Sequence, residues 1–205
     1  KARKAQPGML VVDRWVQGDY ENYLTPEQNT PEKALPVPWE SCITMGNAWG
    51  WVPNDRYKSS QQLVQLLVKI VAKGGNLLLG VGPTGKGEFE PAVYQRLEAM
   101  GQWLNTNGEA IYETVPVEPY QEGKIAYTAK GDDTIYAIYM PEKDESSLPE
   151  TLDISTSLTG KLKVTLLSTG KTLKSNKTET GLKITIPKSL RAELASQEAA
   201  VFKVN

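Results

Sequence analysis

Histidine is absent from all 205 residues, and cysteine occurs once, at Cys42. The first absence removes Ser-His-Asp and Cys-His catalysis, and the two together remove the usual zinc sites. A lone cysteine forms no intrachain disulfide, which leaves the redox compartment open; beside Trp39 and Glu40 its ordinary role is packing. Charge of one sign is lacking too. With 23 basic and 24 acidic residues the net charge is −1, which gives no electrostatic reason for a nucleic-acid partner. Apolar runs are too short to span a bilayer, and Lys1 to Lys4 are followed by no apolar leader core, so no membrane partner is expected.

What is present changes texture near Pro116 to Tyr120. Before it, Met9 to Asp13 is a β-branched apolar run that reads as a buried strand, with Arg14 and Trp15 leaving its end. Gln17 to Val37, rich in Pro, Asn and acids, reads as a long loop of the kind that carries function. Ser59 and Gln62 match a capping box opening a helix whose Leu63, Leu66, Leu67, Ile70 and Val71 share one face, with Gly74 as its C′ glycine. Asn76 to Val81 reads as a buried strand. Pro91 suits the first turn of a second helix with Val93, Leu97, Met100 and Leu104 inward and Gly108 at its end. This alternation predicts an α/β unit with a parallel sheet or barrel. After Tyr120, short strands are expected at Ala126 to Lys130, Thr134 to Met140, Lys161 to Leu167, Leu182 to Ile186 and Ala199 to Val204, the pattern of an antiparallel sandwich. Lys143 to Ser147 reads as a solvated loop.

Gly80 to Gly87 nearly spells a phosphate-binding loop, G-x-x-x-x-G-K-[ST]. Gly87 replaces the hydroxyl that would hold magnesium, and Glu88 and Glu90 put negative charge where phosphate would sit, so the segment reads as a Gly-rich turn. The chemistry-bearing residues lie elsewhere. Glu27 follows Pro26 in a non-helical setting, where a carboxylic acid is free to approach a leaving group or simply to be solvated. Glu40 opens a strand, either as a second candidate carboxylate or as a buried one paired with Arg14. Trp49 and Trp51 share a face if Ala48 to Val52 is extended, and their rings either stack on sugars or fill a core. Carboxylates and tryptophans in this mixture suggest sugar chemistry, although glycosidic hydrolysis usually needs two positioned carboxyls.

The order of Asp13-Arg14-Trp15, Gly18-Asp19-Tyr20, Thr25-Pro26-Glu27, Trp39-Glu40-x-Cys42, Trp49-Gly50-Trp51, Lys58-Ser59, Gly74-Gly75-Asn76, Gly82-Pro83, Arg96-Leu97, Gly101-x-Trp103-Leu104 and Asn107-Gly108-Glu109-Ala110-Ile111-Tyr112 resembles the C-terminal part of the family 29 glycoside hydrolases, the α-L-fucosidases. The resemblance covers roughly residues 10 to 116. It implies α/β plus all-β architecture: the C-terminal part of an irregular (β/α) barrel over residues 1–118, then an antiparallel β-sandwich over 119–205. It implies metal-free retaining hydrolysis of terminal α-L-fucosyl linkages, with fucosylated glycans or fucosides as partners and a periplasmic or extracellular location. Glu27 falls at the acid/base position, with Glu40 as rival; Arg14, Trp49 and Trp51 fall on the substrate-binding side. The acid of such a pair is expected to have a raised pKa. The family's nucleophilic aspartate and fucose-binding histidines lie upstream, so the nucleophile is expected outside this chain, on an N-terminal barrel half of the same protein. Two departures are Gly80, where the family often has asparagine, and Lys86, where it often has aspartate. The alternative is a non-catalytic carbohydrate-binding or structural fragment.

Overall fold

The computed structural model describes residues 1–14 and 18–205; Trp15 of the Asp13-Arg14-Trp15 motif lies outside the described residues. In chain order the elements are α1 (Ala2–Ala5), β1 (Trp39–Thr44), α2 (Ser60–Val71), β2 (Gly75–Gly80), α3 (Pro91–Asn107) with a 3-10 turn over Gly108–Ala110, β3 (Val115–Glu122), β4 (Ile125–Lys130), β5 (Thr134–Tyr139), β6 (Thr151–Ser155), β7 (Val164–Leu166), β8 (Lys171–Lys177), β9 (Gly181–Thr185), α4 (Lys188–Ala195) and β10 (Ala200–Val204). No described helix is long and apolar enough to cross a membrane.

β1 and β2 pair in parallel, Trp39 opposite Gly75 through Thr44 opposite Gly80. They are joined by α2, whose Ser59 capping box forms as expected and whose exit turns at Gly74, φ +78°. Side chains alternate along a strand, so Trp39 and Ile43 share a face, and they pack with Ile70 of α2. Leu77 and Leu79 of β2 meet the helices in the same way. Glu40, Cys42 and Thr44 therefore point to the other side, the barrel interior, with Asn76 and Leu78 beside them; Leu78 is 47% exposed.

The strand expected at Met9 to Asp13 is not regular. Only Val12 pairs, in parallel with Tyr23, because the Asn22 side chain accepts from the Val11 amide at 2.9 Å and its own amide donates to the Val11 carbonyl at 2.7 Å, replacing a ladder. Over its described residues, 18–37, the expected loop is less free than its composition implies. Leu24 and Glu27 form parallel bridges to Trp39 and Cys42, so this stretch runs as a broken strand beside β1. In α3, Val93, Met100 and Trp103 are buried, whereas Leu97 is 37% exposed, so the inner stripe turns through Trp103 rather than Leu97.

The texture change at Pro116 to Tyr120 falls inside β3, whose register with β4 shifts between Pro116 and Gln121. β3 to β10 form one antiparallel sheet in the order β3-β4-β5-β10-β7-β8-β9-β6. It nearly closes: the Ser155 hydroxyl on one edge donates to Glu122 on the other at 2.6 Å, and Tyr127 donates to the same carboxylate at 3.3 Å. Ile125, Tyr127, Ile135, Ala137 and Phe202 face an inner core with Leu166, Ile184, Leu190 and Leu194. The intervening Ala126, Tyr136, Ile138 and Val201 face outward onto Leu63, Val64, Val68 and Trp103 of α2 and α3. Burial on both faces explains why β4, β5 and β10 read as continuous apolar runs. Lys143 to Ser147 is exposed as expected except at Glu145, which accepts from Tyr139 at 2.6 Å and from Lys124 at 2.9 Å.

Candidate active site

Barrel enzymes place their chemistry where the strands end, at their C-terminal rim. In this chain that rim is formed by the broken strand through Glu27, by Thr44 and by Gly80. Arg14, just beyond the Val12 bridge, donates from Nη1 to Glu27 Oε2 and lies with Nη2 3.6 Å from the Cys42 sulfur. Its guanidinium pKa is raised, first by the Glu27 hydrogen bond. Among the described residues Glu27 Oε1 has no partner. Asp13 does not reach the site, because its Oδ1 accepts from the Thr25 amide at 2.9 Å and hydroxyl at 2.8 Å, pinning the chain just before Pro26 and Glu27. Of the two readings of Glu40, pairing with Arg14 does not occur, since Arg14 pairs with Glu27 and no ion pair of Glu40 occurs among the described residues. Glu40 sits instead near the opposite, N-terminal end of the strands, where it lines a cavity of about 350 Å³ with Leu10, Tyr23, Trp39 and Asn76.

Trp49 and Trp51 stand on the loop that follows β1. It bends rather than extending, and the rings are 46% and 38% exposed, so neither fills the core. Trp49 lies over Gly80: a β-carbon there would come within 3.0 Å of its ring. Gly82 carries the backbone of Gly50 and Trp51, where a β-carbon would sit 2.2 Å from the Trp51 nitrogen. Asp55 ties the base of the loop, accepting from the Asn47 and Arg56 amides at 3.1 and 2.7 Å; the Asn47 bond chiefly holds its pKa below the usual carboxylate range. Trp51 donates its indole N–H to Glu90 Oε1 at 2.8 Å, and Tyr57 donates to Oε2 at 3.1 Å. Glu90 was legible in sequence only as negative charge before a helix. Nothing local signals that it gathers two aromatic donors from the preceding loop.

Glu27 is level with Cys42 and Trp49 lies over Gly80, level with Thr44, so the ring is about 7 Å further along the strands than the Glu27 backbone. The Gly80 to Gly87 segment closes on itself: Thr84 N donates to Glu88 O and Gly87 N to Thr84 O, which leaves those amides unable to cradle phosphate. Among the described residues no three His, Cys, Asp or Glu converge as metal ligands.

Parallel strands bearing a carboxylate, an arginine and an aromatic ring at their C-terminal rim, followed by an antiparallel β domain, define a segment of a barrel-type glycoside hydrolase. The α-L-fucosidase family model matches residues 1–109, and the α-L-fucosidase C-terminal domain model matches 119–205. The chain belongs to this family, the family 29 α-L-fucosidases. It is 34% identical to tissue α-L-fucosidase of Bos taurus and 33% to that of Homo sapiens; each match covers 96% of this chain but only 43% and 44% of the relative. α-L-Fucosidase isoenzyme 1 from Paenibacillus thiaminolyticus superposes with a TM-score of 0.81 at 28% identity, over 100% of this chain and 51% of that one. A Thermotoga maritima α-fucosidase in complex with fucose gives 0.77 at 30% identity, over 99% and 46%. The chain thus spans less than half the length of these curated relatives.

Proposed function

We propose that the whole protein is a retaining exo-glycosidase releasing terminal α-L-fucosyl groups, and that this chain supplies the acid/base wall of its site. The observation that carries the reading is the Glu27 carboxylate, gripped by Arg14 on the interior face of the strands, with the Trp49 ring two strand residues further toward the rim. Family membership and a relative crystallised with fucose support fucosylated glycans or fucosides as its ligands.

Retention needs a second carboxyl about 5 Å from the first, which this reading places on an N-terminal barrel half of the same protein. Glu27 protonates the departing glycosidic oxygen as that nucleophile attacks the anomeric carbon. Its carboxylate then takes a proton from the water that opens the glycosyl-enzyme. Arg14 holds Oε2, fixing the rotamer and leaving Oε1 to exchange the proton. Trp49 offers an apolar ring face to the C5 methyl and pyranose, and Trp51 completes that wall. Glu40, at the far end of β1, is poorly placed to meet the same oxygen.

The test uses the full-length protein and aryl α-L-fucosides of graded leaving-group ability. In Glu27→Gln, kcat/KM for a poor leaving group should fall roughly 10²- to 10⁴-fold, with a smaller loss for a good one and recovery of turnover by azide. Glu40→Gln should keep the wild-type leaving-group dependence. The reverse result would move the acid/base role to Glu40.

A further inference from the structure

The geometry points to Glu90 as a positioning residue: its carboxylate latches Trp51 and thereby sets the height of Trp49 against the sugar, controlling discrimination between a C5 methyl and a C5 hydroxymethyl group. This rests on the reading of Trp49 as the ring that faces the sugar.

Glu90 stands at the N-cap position of α3 but makes no side-chain cap. The Val93 amide, which a side-chain cap would take, donates instead to the Glu90 backbone carbonyl at 2.9 Å, and the carboxylate turns toward the loop. Both oxygens are used there, one by the Trp51 indole and one by the Tyr57 hydroxyl. Tyr57 is itself fixed: the Arg96 guanidinium lies 5.7 Å from its ring centroid, and Arg96 is anchored through Nε to the Lys58 carbonyl at 2.6 Å and through Nη1 to Ala92 at 2.7 Å. Burial, and after it the Glu90 hydrogen bond, hold the Tyr57 phenol pKa above its usual range.

The latch matters because the segment it holds has no core of its own. Trp49 and Trp51 are half exposed, Gly50 lies between them with open space where a side chain would be, and the segment rests on Gly80 and Gly82 without interlocking side chains. Glu90 pulls Trp51 down onto Gly82, and Gly50 transmits that height to Trp49 on Gly80. A ring displaced by an ångström loses contact with a methyl group but makes room for a hydroxymethyl. One such group in an apolar pocket is worth roughly tenfold or more in kcat/KM.

The experiment measures the ratio of kcat/KM for an aryl α-L-fucoside to that for the matching aryl α-L-galactoside, using full-length protein. Glu90→Ala should lower this ratio about tenfold, mainly through a higher KM for the fucoside. Glu90→Gln, which still accepts one hydrogen bond, should recover part of it. Trp51→Phe breaks the latch from the other end while keeping an aromatic ring, so it supplies the test if Glu90→Ala does not fold. It should lower the ratio as well. Equal losses on both substrates would mean a merely structural role and overturn the inference, as would an unchanged ratio in Glu90→Ala or Trp51→Phe when Trp49→Ala changes it. An unchanged ratio in Trp49→Ala would overturn both the latch and the Trp49 reading, while leaving the Glu27 test untouched.

Discussion

Val12 pairs with Tyr23 near the Trp39 end of the parallel strands, so Arg14 enters close to the level of Glu40, yet its side chain runs forward along the strands to Glu27 and Cys42. Residue types and motif order pointed to Arg14, Glu27 and Trp49, but not to the partner each would take. That partner is set by strand register, which the irregular stretch before β1 does not encode as a period. Asp55 is a similar case, unremarkable in sequence because its partners are backbone amides. Its carboxyl pKa is depressed in the folded state, first by the Asn47 bond. The stabilisation it gives the loop is therefore present above the ordinary aspartate range near about 3.9, and is lost as pH falls through the lower folded value. Tryptophan emission of the full-length protein should change below about pH 4 as the loop is released. In Asp55→Asn this acid step should be missing.

At the scale of elements, α2, β2 and α3 were legible because capping residues, Pro at a first turn and Gly at an exit are local signals. β8 was not, since among Lys171–Lys177 only Leu173 is buried and no alternation survives to be read. β3, β6 and α4 were missed as well, and the expected strand over Lys161 to Leu167 shrinks to Val164–Leu166. The short β7 leaves its flanks to turns. Contact between elements also decides what glycine does in the segment after β2. At Gly82 a β-carbon would meet rigid backbone rather than a movable side chain, so Gly82→Ala forces the Trp49 to Trp51 segment outward. Overpacking of this kind costs about 1–3 kcal/mol. The variant should melt lower and show a raised KM for aryl fucosides in the full-length protein.

The whole molecule is held by a sheet that has no solvent face along β4, β5 and β10. Its two faces belong to two different cores, one enclosed by the sheet itself and α4, the other shared with α2 and α3. Ile138 is fully buried in the shared core, and Ile138→Ala should cost about 2–5 kcal/mol. The loss should appear in calorimetry of the full-length protein as one transition moving down, not as a split between an intact barrel melt and an early β-domain melt. Two separate transitions would show that the shared core does not couple the parts.

The helix α3 has one further property. At its start Glu90 holds Trp51; near its end the Trp103 indole donates to the Ala199 carbonyl at 2.9 Å, at the edge of β10. The stretch from Glu90 to Trp103 makes a strut of about 20 Å with a fixed anchor at each end. Through α3 the β domain thus underpins the carboxylate that holds the aromatic loop.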